Sequence, residues 1–322
     1  MGRRARYIVD PLKSLLPLIV VVYAMSAPQE PSRTAATSPA EEQLATIVRD
    51  FRGVMGFAAI HLESGRAIAV NGATRFPTAS TIKTAVMLEA YHQAAEGKPS
   101  LDATYTLDES AKVGGSGVLN GMRAGLTLTG ADLVHLMIVL SDNTATNMLI
   151  ERLGTARVNA RLDTYGLRET RLFRPTFRDG RPDVLPELER EFGLGMTTPI
   201  EMAKLMALIG SGKAVNGKAS ESMLSTLRKQ HDRAMIPRLL PPLRGLSVGN
   251  KTGTDEEKHA GPDGVRRHVR ADVGIVTGPG FSYAIAIYAR QVEDTRWGVE
   301  NDALTTGARI SRLLFEHFST GR

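Results

Sequence analysis

The chain has 322 residues, 42% hydrophobic and 23% charged, which supplies one or two sizeable cores and excludes a mainly disordered protein. The formal charge of +6 drops to +3 without the residues before Ala27, which hold four basic side chains and one acid, and only 5% of residues are aromatic. That leaves no basic stacking platform for nucleic acid, and the absence of cysteine excludes disulfides, thiol chemistry and lipoprotein attachment.

At the N-terminus, Arg3, Arg4, Arg6 and Lys13 flank an apolar run from Leu15 to Ala24, the pattern of a secretory signal over residues 1–26. Pro17 interrupts the run, which falls short of the roughly 20 residues a membrane span needs. The expectation is a periplasmic or secreted protein with no stable membrane span. Residues 27–40, rich in Pro, Ser, Thr and Ala, read as a flexible tether.

A first helix is predicted from about Glu41 to Phe51, with Leu44, Ile47, Val48 and Phe51 along one face. Gly56 to Leu62 and Arg66 to Val70, joined by Glu63-Ser64-Gly65, read as a β-hairpin. From about Ser80 to Gly212 the apolar spacing turns helical. Strand character returns at Leu246 to Lys251, Ala271 to Thr277 and Phe281 to Ala289, and an amphipathic helix closes the chain over Asp302 to Phe318. Two strand groups flanking a helical block imply an α+β fold: a sheet domain from residues 41–75 and 213–322, and an inserted all-α domain over 76–212.

Three short motifs carry chemistry. Ser80-Thr81-Ile82-Lys83 opens a helical stretch after Pro77, so the Ser80 hydroxyl and the Lys83 amine lie one turn apart on one face. A neutral amine there could take the proton as the hydroxyl attacks a carbonyl, provided burial and nearby cations lower the pKa of Lys83. Ser141-Asp142-Asn143 forms an interhelical turn, where helix capping accounts for Asp142 or Asn143 and leaves Ser141 free for proton transfer. Lys251-Thr252-Gly253-Thr254 ends a strand-like run and offers a cation, a hydroxyl and a backbone N–H that could complete an oxyanion hole with that of Ser80. One Ser-x-x-Lys match is roughly what chance supplies, and each specific tripeptide arises by chance on the order of a few per cent of the time; it is their occurrence together and in order that carries weight.

Taken together, and spaced 61 and 110 residues apart, these motifs resemble the class A β-lactamases and penicillin-binding serine hydrolases. The resemblance covers most of the mature chain. It implies a five-stranded antiparallel sheet flanked by helices, an inserted helical domain and a cleft between them. It also implies Ser80 as nucleophile, Lys83 as its base partner and Ser141 as proton relay, with Asn143, Lys251, Thr252 and Thr254 binding substrate. Arg270 is the best-placed extra cation for a substrate carboxylate. The implied reaction opens a β-lactam ring through an acyl-enzyme, acting as a monomer on a small-molecule β-lactam or a peptidoglycan-like peptide, with no metal or other cofactor. A D,D-peptidase or esterase, or a penicillin-binding sensor that stays acylated, would carry the same motifs.

One family feature is missing. Class A enzymes supply a deacylating Glu from a loop, followed three and four residues later by Leu and Asn. The nearest match here, in Phe173 to Met196, puts Leu185 at the Glu position and leaves Glu187, Glu189 and Glu191 as substitute candidates. Downstream, the charged insert from Asp255 to Val269 is expected to form an exposed hairpin loop at the cleft's rim.

Overall fold

The computed structural model describes Ser38–Thr320, which form one compact unit; the signal and nearly all of the tether expected before Ser38 lie outside the described residues. Helix α1 (Pro39–Arg49) begins two residues earlier than the apolar spacing indicates, because Ser38 and Glu41 form a reciprocal capping box and Pro39 fits the first helical position.

Five strands build the main sheet: β1 (Val54–His61), β2 (Ala67–Val70), β3 (Ser247–Glu256), β4 (His268–Gly278) and β5 (Phe281–Val292), in the order β2-β1-β5-β4-β3 with every pair antiparallel. Pro279 and Gly280, the latter at φ +78°, supply what a type II turn requires between β4 and β5. Side chains alternate across the sheet. Phe57, Tyr283, Ile285 and Ile287 pack with Leu44 and Val48 of α1 and with Ile310 and Leu314 of α9 (Asp302–Ser319). Ala58, Ala284, Ala286 and Val273 face the opposite way into the larger core. Small residues there let α7 (Pro199–Gly210), with Met202, Met206 and Ile209, lie close to the strands. Each fully buried aliphatic side chain contributes about 1.5–3 kcal/mol.

The remaining helices are α2 (Lys83–Ala95), α3 (Gly130–Val139), α4 (Asn143–Leu153), α5 (Thr155–Thr164), α6 (Pro186–Phe192) and α8 (Gly217–Leu227). The helical block is not purely helical. Short strands Phe76–Pro77, Gly195–Thr197 and Arg171–Leu172 form a three-stranded ribbon, and Thr104–Thr106 pairs with Thr127–Thr129. At two or three residues each, they are too short to leave an alternating pattern in the sequence.

A larger departure concerns β3 and β4, which extend past the expected ends and pair as far as Glu256 with His268. Only the two ends of the expected rim loop, Asp255–Glu256 and His268–Val269, are therefore regular sheet; residues 257–267 form the loop, and the Lys251–Thr254 segment lies within a strand rather than at its end. Among the described residues no helix is long and apolar enough to cross a membrane.

Candidate active site

Ser80 is presented by a strained turn. Thr78 N–H donates to Gly195 O at 2.9 Å, Ala79 adopts φ +43°, and one 3-10 turn (Ala79–Ile82) leads into α2 at Lys83. A left-handed alanine costs of order 1–3 kcal/mol and needs surrounding structure to hold it. Strand β3 is part of that structure: a Cβ on Gly253 would lie 2.9 Å from Thr78 O and 3.2 Å from Ala79 Cβ, so only glycine lets the strand backbone rest on the turn. Behind it, the Thr81 and Tyr288 hydroxyls hydrogen-bond at 2.8 Å in the core.

Ser141, at φ +56°, is a second strained residue, set between α3 and α4. Asp142 caps α4 by accepting from Ala145 N–H at 2.9 Å, and its other oxygen accepts from the N–H groups of Val118 (2.7 Å) and Leu119 (2.9 Å). Two of the three glycines before Val118 therefore serve close packing. A Cβ on Gly117 would overlap the Asp142 carboxylate, and one on Gly115 would sit 2.6 Å from Asn143 Nδ2. Asn143 is held by Gly114 O, which accepts from Nδ2 at 3.1 Å, and by Ser116 O, which accepts from its N–H at 3.0 Å.

Two lysines, both without solvent exposure, converge on Ser141. Lys83 Nζ donates to Ser141 O (2.7 Å) and Asn143 Oδ1 (2.8 Å) and lies 3.1 Å from Ser141 Oγ. Lys251 Nζ donates to Thr252 O (2.7 Å) and to Ser141 Oγ (3.0 Å). Burial, then the charge of Lys251, pushes the Lys83 amine well below the ordinary lysine range, with Asp142 opposing. Burial also lowers Lys251, to about 8, against the pull of Asp272 and Asp232. Asp272, itself raised to about 7 by burial, accepts from Asn250 Nδ2 and Ile236 N–H, both at 2.9 Å. The Ser141 hydroxyl is placed to accept from Lys251 and, were Lys83 neutral, to donate to it. Such a chain can pass a proton without moving a side chain.

Ser80 is half-buried and lines a cleft of about 550 Å³ together with Gly115, Asn143, Thr176, Thr254 and Trp297. The model of the beta-lactamase enzyme family matches residues 39–318.

The chain belongs to the beta-lactamase enzyme family.

Among its relatives, beta-lactamase L2 of Stenotrophomonas maltophilia is 33% identical over 131 residues, a match spanning 41% of each chain. The structure of a beta-lactamase from Sphaerobacter thermophilus DSM 20745 is 30% identical, with a TM-score of 0.73 over 88% of this chain and 97% of that one. PBP-A is 27% identical with a TM-score of 0.71, over 87% of this chain and 96% of that one.

Within this beta-lactamase-family fold, the loop from Phe173 to Met196 departs from its sequence reading. Leu185 stands in the left-handed region (φ 52°, ψ 58°), 44% exposed, and does not line the Ser80 cleft. Nor do the three glutamates. Glu187 pairs with Arg190 at the surface, Glu189 is buried against Arg174 at 2.8 Å, and Glu191 lies 3.6 Å from Arg290. The loop residue beside Asn143 is Thr176. Its hydroxyl donates to Asn147 Oδ1 at 2.9 Å, its N–H to the same atom at 2.8 Å, and the hydroxyl lies 3.5 Å from Asn143 O. Three and four residues on stand Asp179 and Gly180, not Leu and Asn, so nothing in the sequence marks the position. Asp179 also lines the cleft but is tied to Arg174 at 2.5 Å and to Lys258. Burial would raise its pKa, yet the Lys258 hydrogen bond and the two cationic charges hold it below the usual range.

Of the substrate-binding candidates, Asn143 and Thr254 line the cleft, and Lys251 is buried behind them with its amine on Thr252 O and Ser141 Oγ. Thr252 is half-buried on the same strand, opposite Asp272. Arg270 differs from expectation. Its guanidinium is 1% exposed, donates to the carbonyls of Val269 (3.1 Å) and Arg296 (3.3 Å), and contacts His268 Nδ1 at 2.8 Å. The Trp297 ring covers it with its centroid 4.9 Å away, so Trp297, not Arg270, borders the cleft.

Proposed function

We propose that the protein is an exported serine hydrolase that opens β-lactam rings by forming an acyl-enzyme on Ser80, and that it releases the acyl group slowly. The observation that carries the reading is the Ser141 hydroxyl, 3.1 Å from the Nζ of Lys83, three residues after Ser80, and 3.0 Å from Lys251 Nζ.

In this reading neutral Lys83 takes the Ser80 proton as Oγ bonds to the lactam carbonyl carbon. Backbone N–H groups of Ser80 and Thr254 hold the developing oxyanion. As the ring C–N bond breaks, the proton passes from Lys83 through Ser141 to the departing nitrogen. Lys251 and Thr252 hold the substrate carboxylate, and Asn143 holds the side-chain amide. Hydrolysis then needs a base for water, and Thr176 supplies no carboxylate.

Incubation with a penicillin, followed by intact mass, tests this directly. An adduct of the whole drug's mass that persists after free drug is removed is expected. The absence of any adduct would end the acyl-enzyme reading, and rapid return to the free mass would end slow deacylation.

A pH profile probes the lysines. Acylation by a carboxylate-bearing lactam is expected to fall as pH rises through about 8, where Lys251 loses its proton. Lys251→Arg, charged throughout, should remove that alkaline limb; a limb that stays near 8 in the variant would assign it elsewhere.

Thr176 also favours a second reading, a D,D-peptidase acylated by peptidoglycan-like peptides. Release of D-alanine from an acylated D-Ala-D-Ala peptide distinguishes it.

A further inference from the structure

The cleft carries a feature that the proposed acylation chemistry leaves unused. Trp297, the only tryptophan in the chain, is 59% exposed, and Phe177 is 57% exposed. Both line the same cavity as Ser80. Phe177 stands at the Asn143 end: it holds φ +56°, and a Cβ on Gly115 would come within 2.8 Å of its ring. Trp297 stands at the other end. It covers Arg270, which pairs across the sheet with Thr254, three residues beyond Lys251.

The inner side of the Trp297 ring is already occupied, by the Arg270 guanidinium at 4.9 Å and by the His268 ring at 4.3 Å between centroids. Arg270 makes no ion pair with a carboxylate within 4.0 Å among the described residues, so its charge is answered by carbonyl oxygens and the indole π-system. These contacts fix the ring's orientation while leaving a broad apolar surface toward the cleft. A large aromatic side chain kept in water at a cleft's rim is a ready stacking partner. A cation behind the ring draws π-density inward, and the outer face becomes a poorer partner for a second cation.

We infer that Trp297 forms a subsite for a neutral or anionic aromatic substituent attached to the carboxylate-bearing ring of the substrate. This inference rests on the proposed acyl-enzyme reading, because that reading places the substrate carboxylate at Lys251 and Thr252, on the strand whose Thr254 pairs with the Arg270 that Trp297 covers. The subsite ranks lactams by what they carry beside the carboxylate: aryl or heteroaryl above methyl, and neutral aryl above pyridinium.

The test compares three cephalosporins with one common acylamino group and a methyl, a neutral arylthiomethyl or a pyridiniummethyl substituent beside the carboxylate. Second-order acylation constants are read by intact mass for the wild type, Trp297→Ala and Trp297→Phe. Trp297→Ala is expected to slow the arylthio compound about tenfold more than the methyl compound, with Trp297→Phe recovering most of the difference. The pyridinium compound should show a smaller differential than the arylthio one. Equal slowing of all three compounds, or none, would overturn the subsite.

A second measurement does not depend on acylation. In Ser80→Ala, emission from the sole tryptophan should respond saturably to the arylthio compound at lower concentration than to the methyl compound. If the wild type formed no adduct, the functional reading would fail, and this titration would still decide the subsite: indistinguishable responses to the two compounds would overturn it.

Discussion

Ser80→Ala is expected to eliminate the penicillin adduct altogether while the protein keeps its fold. The oxygen removed is the only atom proposed to bond covalently to substrate, so no partial activity should survive through Lys83 or Ser141. The fold should tolerate the change. The Ser80 side chain makes no hydrogen bond within the described structure, and the turn is held by Thr78 N–H on Gly195 O, by Gly253 beneath it and by the Thr81–Tyr288 contact. A loss within about 1 kcal/mol follows, which for a unit of this size moves the melting temperature by about 2–4 °C. Intact mass and a melting curve on the same sample check both halves. An adduct of undiminished yield would mean that another side chain is the nucleophile, and a collapsed melting transition would mean that Ser80 is structural.

That expectation was within reach of the sequence because its motifs combine local geometry with unusual chemistry. A serine and a lysine one helical turn apart, a serine in a capped turn with no capping work of its own, and a glycine inside a strand-like run all show in the residue order. Their convergence does not. Only the fold brings the hydroxyl of Ser141 between Lys83 and Lys251, two residues 168 positions apart in the chain. The sheet was legible for the same reason as the helices, since β1, β4 and β5 alternate or run apolar over a full strand length. The extension of β3 and β4 was not, because Asp255, Glu256 and His268 are polar and owe their strand geometry to the ladder itself.

The errors cluster where identity alone had to stand for position. Arg270 reads as an exposed cation because its cover, Trp297, is 27 residues away in the sequence. Gly115 and Gly117 show nothing in the residue order beyond a turn composition, yet they are pressed against Asn143 and Asp142 so closely that side chains would collide. In the loop after Phe173, matching by Leu and Glu spacing selects Leu185. The loop's path is set instead by the buried Arg174–Glu189 pair and by Asn147, which takes the N–H and hydroxyl of Thr176. Threonine carries no catalytic signal, so the residue facing the cleft left no mark in the sequence.

Thr176→Glu is therefore expected to turn a slowly released acyl-enzyme into a turning-over hydrolase. The Thr176 side chain borders the Ser80 cleft beside Asn143, in a backbone geometry fixed by two hydrogen bonds to Asn147 Oδ1 and a third from Asn147 Nδ2 to Thr176 O at 3.1 Å. The backbone bonds survive the substitution, and the longer side chain has the 550 Å³ cleft to enter. A carboxylate there would hold and deprotonate a water near the ester carbonyl on Ser80, a contribution of about a hundredfold or more in rate. Acylation draws on Lys83 and Ser141 and should change far less. Single-turnover mass measurements separate the two steps: adduct formation comparable to wild type, then decay faster by about two orders of magnitude. Thr176→Gln, of similar size and without the charge, should form the adduct and keep it. Decay equally fast in the glutamine variant would assign the effect to altered packing, and decay unchanged in the glutamate variant would show that the loop does not deliver its side chain to the acyl-enzyme.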